Sequence, residues 1–173
     1  MFSGRNDVWF IADTHFYHQA AINFPNRSFP DIETMHKEII EQWNYTVKDD
    51  DDIVYLLGDF SFSADLKDCR KVLSALRGKK ILIKGNHDSG NPKLYINAGF
   101  YKYYDVPIVF ANNMILSHEP ILGIGGDGML NIHGHTHGRS FTLSTDKHFC
   151  VSWEVLSGRP ISYREILRRQ YIK

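Results

Sequence analysis

Five short apolar runs recur along the chain, and each is rich in β-branched residues. They are VWFIA at 8–12, DIVYLL at 52–57, KILIK at 80–84, NMIL at 113–116 and LNI at 130–132. Runs of this length and composition predict β-strands.

Two longer segments repeat apolar residues at helical spacing instead. In residues 31–47 the apolar positions fall on one helical face, and Asp31 is placed to cap the first turn. Residues 65–78 repeat the pattern, and Gly78 provides a stop signal. The sequence SYRE at 162–165 is a capping box and predicts the start of a short last helix.

The order of these elements predicts an α/β fold. Strands and helices alternate in the first half, which favours parallel pairing through right-handed crossovers. Strands between about residues 106 and 156 have short links, which favours antiparallel pairing. With 173 residues, of which 43% are hydrophobic and 23% charged, we expect one globular domain over residues 1–173.

Composition excludes several classes of protein. The 20 basic and 20 acidic residues cancel, so no overall positive field attracts a long nucleic acid. Cys69 and Cys150 lie far apart, which argues against a disulfide scaffold or a thiolate metal site. No apolar run approaches the roughly 20 residues that span a bilayer, and the first residues do not resemble a signal peptide. We therefore expect a cytoplasmic protein with no membrane partner.

Each predicted strand ends in polar residues that commonly bind metal ions. The exits read ADTH, GD, GNHD, SHEP and HGHTHG. A lone aspartate at a strand end is usually a turn residue, but the carboxyl ends of strands in an α/β sheet line one crevice. In three of these exits a glycine that allows close backbone approach stands directly before the first candidate ligand, at Gly58, Gly85 and Gly134. The candidate ligands are Asp13, His15, Asp59, Asn86, His118, His135 and His137.

The types of side chain limit which metals could bind and which reaction they could support. Two carboxylates, one amide and four imidazoles without a thiolate favour divalent first-row ions such as manganese, iron, cobalt, nickel or zinc. Of these we expect manganese first. Seven ligands are too many for one catalytic ion that keeps an open position, so we expect two ions. Their four positive charges exceed the two negative charges of the aspartates, which favours an anionic substrate. Attack by a hydroxide that bridges the two ions on a phosphoryl centre is the expected reaction.

The ordered series DTH, GD, GNHD, SH and GHTH, over residues 13–137, resembles the calcineurin-like metallophosphoesterase superfamily. The resemblance implies a four-layer αββα sandwich of two mixed β-sheets flanked by helices, with the metal site at the strand ends. The ligand sets that it implies are Asp13, His15 and His137 for one ion and Asn86, His118 and His135 for the other, with Asp59 bridging them.

The resemblance also implies roles for two neighbouring residues. His87 would bind the phosphate and donate a proton, and Asp88 would orient its imidazole. Imidazole suits a general acid because it can hold a proton near neutral pH. His133 is a candidate eighth ligand, although a supporting or strand role is preferred for it.

Substrate selectivity is expected to come from loops, above all residues 16–29. We expect His18 and Arg27 to contact a non-reacting phosphate oxygen or the leaving group, because arginine binds phosphate in a bidentate manner. The alternative is that Arg27 stacks on Phe24 or Phe29 or pairs with an acid.

The expected function is a phosphodiesterase that hydrolyses small or nucleotide-type phosphodiesters. A phosphomonoesterase or nuclease on the same site is the alternative, and a non-catalytic metal-binding interaction scaffold is a further one. Phe60, Phe62 and Tyr17 are candidates for an aromatic wall that contacts a base or aryl group, although aromatic residues near a site are as often part of the core.

Overall fold

The computed structural model of the protein describes residues 7–111, 113–125, 128–139 and 146–171. Its strands are β1 (Val8–Ile11), β2 (Ile53–Leu56), β3 (Lys79–Ile83), β4 (Lys102–Tyr104), β5 (Ile108–Phe110), β6 (Met114–Leu116), β7 (Leu130–His133), β8 (His148–Cys150) and β9 (Ile161–Ser162). Its helices are α1 (Ile32–Thr46), α2 (Leu66–Ala75), α3 (Pro92–Ala98) and α4 (Tyr163–Tyr171), with a 3-10 helix at Gln19–Asn23.

The strands form two mixed sheets. The first has the order β4-β3-β2-β1-β9, in which β1 to β4 are parallel and β9 is antiparallel to β1. The second has the order β5-β6-β7-β8, in which only the β5–β6 pair is antiparallel. The prediction of antiparallel pairing in the second half is therefore wrong for β6 to β8. Segments 117–129 and 134–147 are long enough to carry the chain back for parallel pairing.

Two apolar cores hold the layers together. Trp43 of α1 and Tyr95 of α3 belong to a core between the helices and one face of the first sheet. The other face of that sheet packs on the second sheet, through residues such as Leu116 and Ile132, and Ile166 of α4 joins this core. Two mixed sheets with flanking helices confirm the predicted α/β sandwich.

Local sequence signals begin the helices where they were predicted. Asp31 accepts a hydrogen bond of 2.6 Å from the Thr34 N–H at the start of α1. At the start of α4, Ser162 accepts one of 3.2 Å from the Glu165 N–H. Among the described residues, no helix has the length and apolar composition needed to cross a bilayer.

The parallel strands bring their carboxyl ends to one edge of the sandwich. The segment after β8 connects the two sheets there, because Ala12 N–H donates to the Val151 carbonyl and Trp153 N–H donates to the Ala12 carbonyl, both at 2.9 Å. Gly134 N–H donates to the His118 carbonyl at 2.9 Å in the second sheet. The exits of β1, β2, β3, β6 and β7 therefore surround one cleft.

Candidate metal centre

Three side chains from the exits of β1 and β7 form the first ligand group. The candidate ligand atoms of Asp13, His15 and His137 all lie within 4.8 Å of one another. His15 Nε2 is 3.4 Å from His137 Nε2, which is 3.7 Å from Asp13 Oδ1. Lone pairs that face each other at this separation repel unless a proton or a cation lies between them, so the arrangement fits a cation.

The second ligand group lies beside the first and contains an amide, that of Asn86. Asn86 Oδ1 is 2.9 Å from both His118 Nε2 and His135 Nδ1, and these two nitrogens are 3.1 Å apart. Asp59 Oδ2 is 3.5 Å from His118 Nε2 and 3.6 Å from His15 Nε2. Asp59 therefore lies between the two groups.

Five of these seven candidate ligands have a left-handed backbone. Non-glycine residues rarely adopt positive φ, and each such residue costs on the order of 1 kcal/mol. Strain of this kind persists only where the surroundings impose it, and it is concentrated at functional sites. The residues are Asp13 (φ 60°), His15 (51°), Asp59 (54°), His135 (66°) and His137 (49°).

Glycines allow the backbone to approach the ligands, as the sequence predicts. A Cβ atom at each of the three glycines would overlap with a neighbouring ligand. The shortest distances from such an atom to a ligand are 2.3 Å from Gly58 to His118 Nδ1, 2.1 Å from Gly85 to Asp59 Oδ1 and 2.7 Å from Gly134 to Asp13 Oδ2.

Arg27 lies behind the centre and does not face the cleft. Its side chain is 0% exposed. Nε donates to Glu154 Oε1 at 2.5 Å, Nη1 donates to the Thr14 carbonyl at 3.1 Å, and Nη2 donates to the Asp13 carbonyl. The prediction that Arg27 contacts substrate is therefore wrong, because burial and these three partners occupy the guanidinium.

The structure agrees with the alternative interpretation of Arg27, in which it pairs with an acid or stacks on an aromatic ring. The guanidinium pairs with an acid, Glu154, and its Cζ lies 5.8 Å from the centre of the Phe24 ring. It also lies 4.8 Å from the Trp153 ring.

Glu154 is a residue of the site that the sequence reasoning missed. Its Oε2 lies 3.0 Å from His137 Nδ1. Burial alone would raise the pKa of Glu154, but His137 and Arg27 outweigh it and lower this pKa. An ionised carboxylate at this distance favours a proton on Nδ1 of His137, which leaves Nε2 as the candidate ligand atom. A carboxylate inside the apolar run VSWEVL was the signal that could have revealed it.

Burial also sets the charge of the ligands themselves. The pKa of Asp13 is raised to about 7, and burial of the carboxyl group is the largest cause. Burial, followed by the charge of Arg27, lowers the pKa of His15, so that imidazole is neutral. A bound cation reverses the preference of Asp13, because it stabilises the carboxylate.

His87 lies at the mouth of the cleft with an exposed side chain. Its backbone N–H donates to Asp59 Oδ1 at 2.9 Å, and its ring centre is 5.4 Å from that of His15. The cleft has a volume of about 300 Å³, and Phe24 and Arg139 also line it.

Asp88 does not have the partner that was predicted for it. Its Oδ2 accepts the N–H groups of Asp59 and Gly85 at 2.8 Å each, and its Oδ1 accepts the Phe60 N–H at 3.0 Å. The prediction that Asp88 orients the imidazole of His87 is wrong, since the carboxylate is directed at the backbone behind Asp59. It ties the exit of β2 to the exit of β3.

His18 and His133 have different surroundings. His18 Nδ1 is 3.2 Å from His15 Nδ1, and the His18 ring is 5.5 Å from the ring of His87. His133 is buried, with Nδ1 2.8 Å from the Gly134 carbonyl oxygen, and it belongs to neither ligand group. Its geometry is that of a strand residue, the preferred interpretation.

Comparison with known proteins places this centre in a family context. Residues 7–170 match the family model of calcineurin-like phosphoesterases. The uncharacterized protein MJ1445 of Methanocaldococcus jannaschii is 35% identical over 170 residues, covering 93% of this chain and 89% of that protein. The Gene 66 protein of Mycobacterium phage D29 is 30% identical over 167 residues, covering 78% and 80%.

Two solved structures have folds similar to that of this chain. A protein of unknown function from Aquifex aeolicus, AQ665, has a TM-score of 0.73 at 29% identity, covering 94% of this chain and 98% of that one. The Pseudomonas putida nuclease MPE has a TM-score of 0.50 at 19% identity, covering 75% and 61%, and it shares the fold. The chain belongs to the calcineurin-like phosphoesterase family, whose members use divalent metal ions.

Proposed function

We propose that the protein is a phosphodiesterase that hydrolyses small or nucleotide-type phosphodiesters at a dinuclear metal centre. One observation carries the proposal: two groups of three ligand atoms lie side by side, and Asp59 is within 3.6 Å of a nitrogen in each. Membership of a phosphoesterase family supports the reaction class.

The residues present fit two divalent cations. Nitrogen and oxygen ligands without a thiolate fit divalent first-row ions; the proposal is manganese, with iron, cobalt, nickel or zinc as alternatives. When bound, such ions neutralise phosphoryl oxygens and lower the pKa of water. The proposed ligands are Asp13, His15 and His137 for one ion and Asn86, His118 and His135 for the other, with Asp59 shared.

The remaining residues position these groups and move a proton. Glu154 fixes the tautomer of His137, and Arg27 holds the carbonyl of Asp13 from behind. His87, at the mouth of the cleft, donates a proton to the leaving oxygen, since imidazole is the side chain that can do so near neutral pH.

The open mouth of the cleft favours a diester. Asn86, His87, His135 and Arg139 all have exposed side chains, so a phosphate with a substituent on either side can lie across the centre. Nuclease activity is the second candidate, because the exposed guanidinium of Arg139 lines the cleft and can bind a further phosphate of a longer chain. The nuclease from Pseudomonas putida supports the fold alone.

Turnover of model esters by the Mn²⁺-loaded protein tests the proposal. We expect bis(p-nitrophenyl) phosphate to be hydrolysed with a higher kcat/KM than p-nitrophenyl phosphate. His87→Ala should keep its metal content, measured by elemental analysis, and lose about 100-fold or more in kcat.

His148→Ala is the matched control, because His148 lies on β8 and belongs to neither ligand group. It should retain both metal content and kcat. Preference for the monoester, or unchanged kcat in His87→Ala, would contradict the proposal.

A further inference from the structure

Phe62 combines exposure with a fixed backbone. Its side chain is 56% exposed. The Phe62 N–H donates to the Phe16 carbonyl at 2.8 Å, and the neighbouring Ser63 N–H donates to Ser61 Oγ at 3.1 Å. An apolar ring is thus held in solvent by an ordered backbone, although burial would be more favourable for it.

One face of this ring is covered by a histidine of the site. The rings of Phe62 and His18 are stacked, with centres 4.5 Å apart and planes at 14°. The Phe62 ring is also 5.9 Å from that of His87. The exposure of Phe62 leaves an aromatic surface open to solvent beside the proposed proton donor.

Other exposed rings of the described chain have a different environment. Tyr45 has the cation of Lys48 4.9 Å from its ring centre and that of Arg159 at 4.7 Å. Tyr101 has Lys102 at 5.8 Å and lies before β4, at the end of the sheet opposite the centre. Phe62 instead stacks on His18, whose Nδ1 lies 3.2 Å from Nδ1 of the candidate ligand His15.

We propose that the Phe62–His18 pair is a stacking platform for the nucleobase of the leaving nucleoside. The inference rests on the proposed function, because His87 marks the side of the departing group only if it donates the proton. In the reaction, the oxygen of water bonds to phosphorus and one of its protons passes to solvent, while the P–O bond to the nucleoside breaks. The leaving oxygen takes a proton from His87, and solvent then returns a proton to His87.

The platform specifies the class of substrate. Every base has an aromatic face, so stacking tolerates any sequence. A base within a duplex is already stacked on its neighbours and has no free face. The substrate is therefore an unpaired nucleotide-type diester, such as a dinucleotide or a single-stranded end.

Paired dinucleotides test the platform in the Mn²⁺-loaded full chain. One carries a base on the leaving nucleoside, and the other carries a baseless sugar there. Phe62→Ala should lower kcat/KM for the base-bearing substrate about 10-fold and change that for the baseless substrate by less than about 2-fold. Phe62→Trp should retain the activity, and Tyr101→Ala, an exposed aromatic residue away from the centre, should change neither substrate.

The outcomes separate the two proposals. If the wild-type protein hydrolyses no diester, including bis(p-nitrophenyl) phosphate, the proposed function and the platform both fail. Hydrolysis of the aryl diester without cleavage of the base-bearing dinucleotide overturns the platform alone. An equal loss for both dinucleotides in Phe62→Ala also overturns it, because a structural effect does not depend on the base.

Discussion

Asp13 shows how many constraints a single residue of the centre satisfies. Its carboxylate is fully buried, it has a φ of 60°, and its two oxygens accept the His135 N–H at 3.2 and 3.0 Å. Its carbonyl accepts a hydrogen bond from Arg27. Both the charge and the position of this carboxylate are therefore determined by its surroundings.

The raised pKa of Asp13 predicts metal binding that depends on pH. Below about pH 7 the cation-free carboxyl holds a proton, which must leave when a cation binds. The pKa of His137 is also raised, because Glu154 and Asp13 outweigh the effect of burial. Protons therefore compete with the cation at His137 too, and they weaken metal binding as the pH falls. We expect Mn²⁺ affinity to be on the order of 10-fold weaker at about pH 5.5 than at about pH 7.5.

Calorimetric titration of the EDTA-treated protein at the two pH values measures this affinity. Asp13→Asn has no proton to lose at this position, so its residual binding should vary less with pH. Equal wild-type affinity at both pH values contradicts the prediction.

The pair of Arg27 and Glu154 predicts a large effect on stability. Arg27→Met leaves the Glu154 carboxylate buried with one cation fewer, and we expect the free energy of unfolding to fall by about 3 kcal/mol. Arg139→Met, at an exposed arginine, should change it by less than about 0.5 kcal/mol.

Urea denaturation measures both variants in the metal-free state. The double variant Arg27→Met with Glu154→Met should regain part of the loss, because two apolar side chains can replace a buried ion pair. If Arg27→Met has wild-type stability but a raised KM, the stability prediction is contradicted. Arg27 would then be a substrate-binding residue.

At the scale of elements, the turn after β3 gives each of three adjacent polar residues a separate task. Asn86 contacts His118 and His135, His87 stands at the mouth of the cleft, and Asp88 accepts backbone N–H groups. The exits of β1, β2 and β7 instead contain residues with left-handed backbone, which are Asp13, His15, Asp59, His135 and His137. Short turns therefore place several functional groups within a few residues.

Gly85 in this turn predicts a loss of the centre on a minimal substitution. A Cβ there lies 2.4 Å from the Asp59 backbone nitrogen, which cannot rotate away. Gly85→Ala should displace Asp59, remove bound metal and lower kcat about 100-fold. Gly90→Ala is the matched control, since a Cβ at Gly90 has no atom within 4 Å.

Elemental analysis and turnover of bis(p-nitrophenyl) phosphate check both glycine variants. Normal metal content in Gly85→Ala would mean that the shared carboxylate is not needed at its present position.

At the scale of the whole molecule, the features that could be predicted from the sequence are those that a short stretch of residues determines. The exits of β1, β2 and β3 could be located because each ligand directly follows an apolar run, and parallel strands put them at one edge. The contact of Arg27 with Glu154 joins residues 127 positions apart, and no local pattern in the sequence encodes that distance. The parallel pairing of β6 to β8 was missed because the prediction assumed short links, whereas segments 117–129 and 134–147 are long enough for parallel connections.

The segment after β8 also determines when the centre is complete during synthesis. Val151 and Trp153 attach to Ala12, and Glu154 reaches His137. A ribosome releases the chain from its amino terminus, so a nascent chain that ends between His137 and Trp153 carries all seven candidate ligands without the carboxylate of Glu154, which lies beside one of them. The candidate centre therefore gains its full set of contacts only after translation has passed Glu154, and clipping before Glu154 leaves it incompletely assembled.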